Sequence, residues 1–406
     1  MVLARVAATA RLPSVSTVPR LSRKSDDCAL PPCSLLHGLA TSAAAAMVGA
    51  LSGSSSSTAH VRLAWQQPRR TAFIRPHVNA FTAYHMQPKP DVTAEEWAAI
   101  YPAPRQPLLV DFGCHSGRFL RSLSTSEAGQ ATPWNYLGLD IREEYISRAI
   151  AKAQAIAATK SRLSYRVCNT HAHLQSTLGQ YPGPVAMVSF LFSDPQFKQR
   201  HRKRRMINPL FIKELVQLHR LRLHSEAQLI AQGSEHSSSQ ISEGGDRPLT
   251  QQKKTSTPLL ILFKSDLPLV GEDLLEALAA PECAQVAQFH SVDLVPLIEH
   301  GLAQRAAAGQ HPLAQFPDSP SSTSINTNPR YEFIDLNGWM DMAKINGISF
   351  DPNAVNSIGH TVSPREAIPK HMWPVLSEAV TTWSEREICT RSANQPVYAR
   401  LLQLRQ

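Results

Sequence analysis

Asp194 ends an apolar run, Val188-Ser189-Phe190-Leu191-Phe192-Ser193, and is followed by Pro195 and then by dense positive charge. Residues 197–205 hold six Lys or Arg in nine positions (Lys198, Arg200, Arg202, Lys203, Arg204 and Arg205), with His201 among them. Charge of that density suits a polyanion. Pro195 restricts the residue before it to extended backbone, which fixes the direction of the Asp194 carboxylate. An acid of fixed direction beside a phosphate grip points to chemistry on a nucleic-acid base. The plainer readings are a helix cap at Asp194 and a solvated face or nuclear address in the basic run. A place directly after a strand exit, inside a domain, argues against a detachable address. Asp266, in Lys264-Ser265-Asp266, repeats the arrangement one strand later. Two carboxylates at neighbouring strand ends can accept hydrogen bonds from the N1–H and N2 amino edge of a guanine.

A second constellation lies upstream. Asp111-x-Gly113-x-x-x-Gly117 falls between a strand and a helix, where glycines let the backbone approach a ligand and the helix N-terminus faces it. The spacing is not the dinucleotide pattern, and alone it fits an ordinary strand-to-helix turn equally well. Asp140 strengthens it, because an acid ending the next strand can accept both hydroxyls of a ribose. The chain has no GxxxxGK[ST] loop, so a nucleoside cofactor without phosphates fits better than a nucleotide. S-adenosylmethionine has a ribose, an adenine and no phosphate.

These residues need a scaffold that brings strand ends together. Residues 108–112, 136–140, 163–167, 185–192 and 258–263 read as strands. Helices are predicted from Thr93 (a capping box), over 118–123, over 142–160, from Asn208-Pro209 to about His224, and over 274–279. Strands alternating with helices imply a mostly parallel, doubly wound α/β sheet. Residues 233–257 and about 304–328 are rich in Ser, Gln, Gly, Ala and Pro without periodicity, and read as disordered insertions. The domain reading is therefore 1–70 transit peptide, 71–106 N-terminal extension, and 107–406 one domain with two insertions.

Composition narrows the class. Residues 1–75 carry nine Lys or Arg against two acids and so supply seven of the nine net positive charges. The remainder is nearly neutral with one basic patch. The Ala-, Ser- and Thr-rich, acid-poor start has the composition of an organellar transit peptide. The six cysteines form no CxxC pair and no zinc spacing, which suits a reduced compartment and small buried thiols. The most apolar stretch, residues 35–51, is too short and too interrupted to span a bilayer, so a soluble protein without a membrane role is expected.

Phe192-Ser193-Asp194-Pro195 with Lys198, Arg200-His201 and Lys203-Arg204-Arg205 resembles the signature F-P-D-P-x-x-K-x-R-H-x-K-R-R of the tRNA (guanine-N7)-methyltransferases. Arg75-Pro76-His77-Val78-Asn79 looks like the R-x-H-V-N entry of their plant and cyanobacterial branch. The resemblance covers most of 75–232 and 258–266 and resumes at 383–404. It implies a Rossmann-like class I S-adenosylmethionine-dependent methyltransferase fold and methyl transfer to guanine N7 in the tRNA variable loop. By the same resemblance Asp111, Gly113, Gly117, Asp140 and Asn169 would hold S-adenosyl-L-methionine, with Cys168-Asn169 on the adenine side. Asp194 and Asp266 would bind the guanine, and Lys198, Arg200, His201, Lys203, Arg204 and Arg205 the RNA phosphates. Ser384-Glu385-Arg386-Glu387 is similar to a T-x-R-E motif whose hydroxyl and last acid line the site, which gives Glu387 a supporting role.

The chain departs from the pattern at Ser193, His115, Gln196 and Ser384. Those departures and the insertions frame the alternative: a non-catalytic RNA-binding protein on a decayed scaffold. The branch resemblance tilts the expected address to a plastid, with mitochondrion the alternative.

Overall fold

The computed structural model describes residues 78–156, 162–237, 257–307 and 335–405. Four short runs, apolar over most of their length, become strands buried at every residue: β1 (Leu108–Phe112), β2 (Asn135–Asp140), β4 (Val185–Leu191) and β5 (Leu260–Ser265). Burial on both faces is what near-continuous apolar strands require, and parallel pairing with helices on either side provides it. β3 (Leu163–Val167) closes one edge and is only partly covered. β6 (Phe289–Val292), β7 (Thr361–Val362) and β8 (Tyr398–Leu404) complete an eight-stranded sheet in the order β3-β2-β1-β4-β5-β8-β6-β7. β8 alone runs antiparallel to its neighbours, β5 and β6. This is the mostly parallel, doubly wound Rossmann-like sheet expected from the sequence.

Side chains alternate between the two faces with the strand period of two. Leu108, Val110 and Phe112 join one core, with Val188 and Phe190. Leu109, Met187 and Leu191 join the other. The first core is covered by the helices Ala94–Ile100, Pro209–Ser237 and Pro268–Ala279, the second by Arg118–Thr125, Glu143–Gln154 and Trp373–Thr381. Phe112, Phe190 and Phe211 pack ring on ring at centroid distances of 5.1–5.8 Å, which locks the centre of the sheet to its longest helix. The segment before β1 belongs to the same body. Trp97 and Tyr101 are fully buried, and the Tyr101 hydroxyl donates to the Tyr136 carbonyl at 2.8 Å.

The strand order reverses between β1 and β4, because the chain adds β2 and β3 on one side of β1 and β4 on the other. Ligands of open α/β sheets bind outside the carboxyl ends of the strands at such a switch point. Register puts Asp111 of β1 beside Ser189 of β4 and Gly138 of β2 there.

Several sequence boundaries move. The fourth strand stops at Leu191, and Phe192 leaves it with φ 57°. The helix from Pro209 runs through Gly233 to Ser237, and another, Val295–Ala307, takes in residues 304–307. Both expected insertions therefore start later than composition implied, since an established helix propagates more easily than one begins. The helix expected to reach Lys160 ends at Gln154. The proposed transit peptide, the Arg75-Pro76-His77 part of the entry motif, residues 157–160, and the rest of the two insertions lie outside the described residues. Of the described cysteines Cys114, Cys168 and Cys283 are buried thiols, while Cys389 is exposed. Among the described residues no helix is long and apolar enough to cross a membrane.

Candidate active site

A cavity of about 820 Å³ opens at the carboxyl ends of β1, β2, β4 and β5. Asp111, Asp140, Asp194 and Asp266 all stand in its wall. The two constellations read from the sequence thus meet in one place.

Asp111 is 2% exposed and accepts a hydrogen bond from Ser189 Oγ at 2.7 Å. Burial pushes its carboxyl up to about 7; the Ser189 hydroxyl opposes that rise and the nearby Asp140 adds to it. Asp140 is buried at the end of β2 and holds the loop opposite it. One oxygen accepts from the His115 backbone N–H at 3.1 Å, the other from the Arg142 N–H at 2.9 Å. Between the two acids the chain turns through Gly113, whose φ of 76° is open to glycine at little cost. Its N–H donates to the Leu139 carbonyl at 2.7 Å, so bare backbone faces the cavity.

Three non-glycine residues of the wall have left-handed backbone: His115 at φ 51°, Phe192 at 57° and Gln196 at 45°. Each costs roughly 1–2 kcal/mol, and such strain concentrates where geometry serves function. The turn at Gln196 is held by Asp194, which accepts from the Gln196 backbone N–H at 3.2 Å and from its side-chain amide at 2.7 Å. Asp266, just past β5, accepts from Arg386 Nε at 3.1 Å and Nη2 at 2.7 Å.

Four expected site residues serve other ends. Gly117 does not line the cavity; a Cβ there would stand 2.5 Å from the Tyr165 ring, whose hydroxyl donates to the Gly117 carbonyl at 2.7 Å. Packing under the loop and a left-handed backbone, φ 74°, are what demand a glycine. Asn169 turns away too. Its amide donates to the carbonyls of Ala80 at 2.9 Å and His85 at 3.0 Å, tying residues 80–86 down while its neighbours Cys168 and Thr170 face the cavity. Glu387, expected to line the site, is fully buried beneath it. It accepts from Lys264 Nζ at 3.0 Å and from Arg391 Nη2 at 2.7 Å, because a lysine inside β5 needs a counter-charge. Arg205 is the fourth: its side chain is 12% exposed, pairs with Asp273 and donates to the Pro195 carbonyl at 2.8 Å.

Arg202 likewise pairs with Glu276 on the helix Pro268–Ala279 that carries Asp273. Two of the six cations therefore anchor the basic loop, a short 3₁₀ helix over Gln199–Arg204. His201 is half-buried within it. Arg204 faces the cavity, and Lys198, Arg200 and Lys203 are exposed to solvent.

Glu385, which the motif reading passed over, stands in the cavity wall instead of Glu387. Ser384 caps the helix Glu385–Ser392 by accepting from the Glu387 N–H at 3.2 Å, which turns Glu387 inward and Glu385 outward. Burial alone would raise the Glu385 carboxyl. Hydrogen bonds from His115 and Ser116 and the charges of His115 and Lys152 outweigh it and hold the group at about 2. The one sequence signal for it was His115, an acid-pairing side chain where the family pattern has glycine.

Residues 105–234 match a family model described as "Putative methyltransferase". A tRNA (guanine-N(7)-)-methyltransferase of Trichormus variabilis is 35% identical over 143 residues, covering 35% of this chain and 62% of that protein. Another, of Synechococcus elongatus, is 36% identical over 143 residues, with 35% and 63% covered. The chain thus spans less than two thirds of the length of these curated relatives. Among solved structures, an antibiotic-related methyltransferase is 13% identical over 55% of this chain and 92% of that one, with a TM-score of 0.29. Over residues 105–234 the chain is thus similar to a methyltransferase family model, and over some 143 residues to the cyanobacterial tRNA (guanine-N(7)-)-methyltransferases.

Proposed function

We propose that this protein transfers a methyl group from S-adenosylmethionine to guanine N7 in tRNA. The observation that carries the reading is a single cavity joining Asp111 and Asp140 to Asp194 and Asp266, entered beside a loop with the exposed cations Lys198, Arg200 and Lys203. The donor set fits the cofactor. Asp111, Asp140 and Glu385 give the cavity three acids, suited to ribose hydroxyls, an ammonium and a sulfonium, and Gly113 leaves room against its backbone. When bound, S-adenosylmethionine supplies an electrophilic methyl group.

Guanine N7 has a free lone pair at neutral pH, so no residue has to remove a proton from the nucleophile. The chain's task is to place N7 in line with the methyl group, largely a proximity effect. Asp194, steadied by Gln196, and Asp266, steadied by Arg386, would orient the base and offset the positive charge it gains on methylation. The base leaves its stack to reach them.

The test is to incubate the purified full chain with methyl-labelled S-adenosylmethionine and bulk tRNA, then digest to nucleosides. Label is expected in 7-methylguanosine; label elsewhere, or none, overturns the reading. Asp194→Ala should abolish transfer and leave tRNA binding largely intact, and undiminished turnover would remove Asp194 from the chemistry. The acid-poor first seventy residues and the likeness to cyanobacterial proteins support a plastid address. A fluorescent fusion of residues 1–75 should enter plastids; mitochondrial or diffuse signal would refute this.

A further inference from the structure

Phe197 is 65% exposed, and of the exposed large apolar side chains among the described residues it alone lines the cavity. A lone exposed phenylalanine is ordinary on a protein surface. This one is set out by construction. The left-handed turn at Gln196 carries the chain outward from Asp194, and the buried Gln196 side chain, bonded to Asp194 at 2.7 Å, holds that turn. On its far side follow Lys198 and Arg200, both exposed and with no acid paired to either among the described residues. An aromatic face flanked by cations at the lip of a cavity is the arrangement by which single-stranded nucleic acid is held: cations track the backbone and the ring stacks a base.

We propose that Phe197 is a stacking platform for an unpaired base of the RNA at the mouth of the cavity, and so a positioning residue for the methylated guanine. The proposal rests on the tRNA reading above. A stacked base beside the mouth keeps the strand open there and sets which nucleotide reaches Asp194. The contribution is independent of charge, so it separates from the phosphate grip.

The experiment compares the full-length wild type with Phe197→Ala, Phe197→Leu and Phe197→Trp. It follows KM for tRNA, KM for S-adenosylmethionine, and the dependence of tRNA binding on salt. Alanine and leucine should each raise KM for tRNA about tenfold, as loss of a base-stacking ring does. Tryptophan should restore it to within about twofold, because any aromatic face stacks. The salt slope and KM for S-adenosylmethionine should not move, and the latter also shows that the variants are folded. An unchanged KM for tRNA in the alanine variant overturns the platform, as does leucine performing as well as tryptophan. If the wild type methylates no tRNA, the functional reading falls and takes the platform with it; if it does and the variants match it, the platform alone falls.

Discussion

Asp111 combines a buried carboxyl with a proton it holds up to about pH 7. In the unfolded chain an aspartate titrates near 4. Folding therefore takes up a proton between those values, and this residue's contribution to stability falls as pH rises toward 7. A cationic ligand reverses the preference, since it binds the ionised acid better. Cofactor affinity should rise about tenfold between pH 6 and pH 8, the change in ionised fraction across a carboxyl titrating near 7. Titration calorimetry across that range checks it. Asp111→Asn should bind more weakly with a flat profile, and a wild-type profile without slope would mean the cofactor does not meet this carboxylate. Asp140 and Glu385 differ in kind, because backbone N–H groups, His115 and Lys152 already serve them.

At the scale of elements, the helix Glu385–Ser392 is seated by Glu387, the shared partner of Lys264 and Arg391. Lys264 also donates to the Thr382 carbonyl at 3.0 Å, so one strand lysine grips both ends of the turn that precedes the helix. Removing one partner of a buried ion pair leaves an uncompensated charge and costs about 3–5 kcal/mol. Glu387→Ala should lose that much in urea unfolding, whereas Glu385→Ala, partly exposed in the cavity wall, should lose less because solvent screens its partners. Equal losses would contradict the division of labour. The sequence displayed both acids but not which faced the cavity. The T-x-R-E likeness pointed to Glu387, and the answer depended on a cap at Ser384 and a lysine more than a hundred residues away. The strand-end acids were legible because they follow apolar strands directly, and a parallel sheet gathers such ends at one edge. β8 was not, since Val397–Leu404 has basic and polar residues and pairs only with strands far upstream.

Over the whole molecule, charge placement decides more than charge total. Lys198, Arg200 and Lys203 face solvent, while Arg202 and Arg205 are spent on Glu276 and Asp273 of a distant helix. A run of cations in sequence cannot reveal that split, because the acids that divide it lie some seventy residues on. Reversing Lys198, Arg200 and Lys203 to Glu should weaken tRNA binding and make the salt slope shallower by roughly one for each phosphate no longer neutralised. Arg205→Ala should lower stability and leave the slope in place. Filter binding at several salt concentrations, with thermal unfolding alongside, separates the two. A slope unaffected by the triple reversal would move the RNA to another face.

The position of β8 bears on how the protein is made. Its seven residues slot between β5 and β6, both of which leave the ribosome well before it. Until they arrive, β5 and β6 have bare edges toward each other, and closing a loop of that length is slow. The helix that seats Glu385 against His115 is synthesised just ahead of β8. The last wall of the cavity and the last strand of the sheet are thus completed in the same act of synthesis, so a chain cut short before residue 385 lacks both.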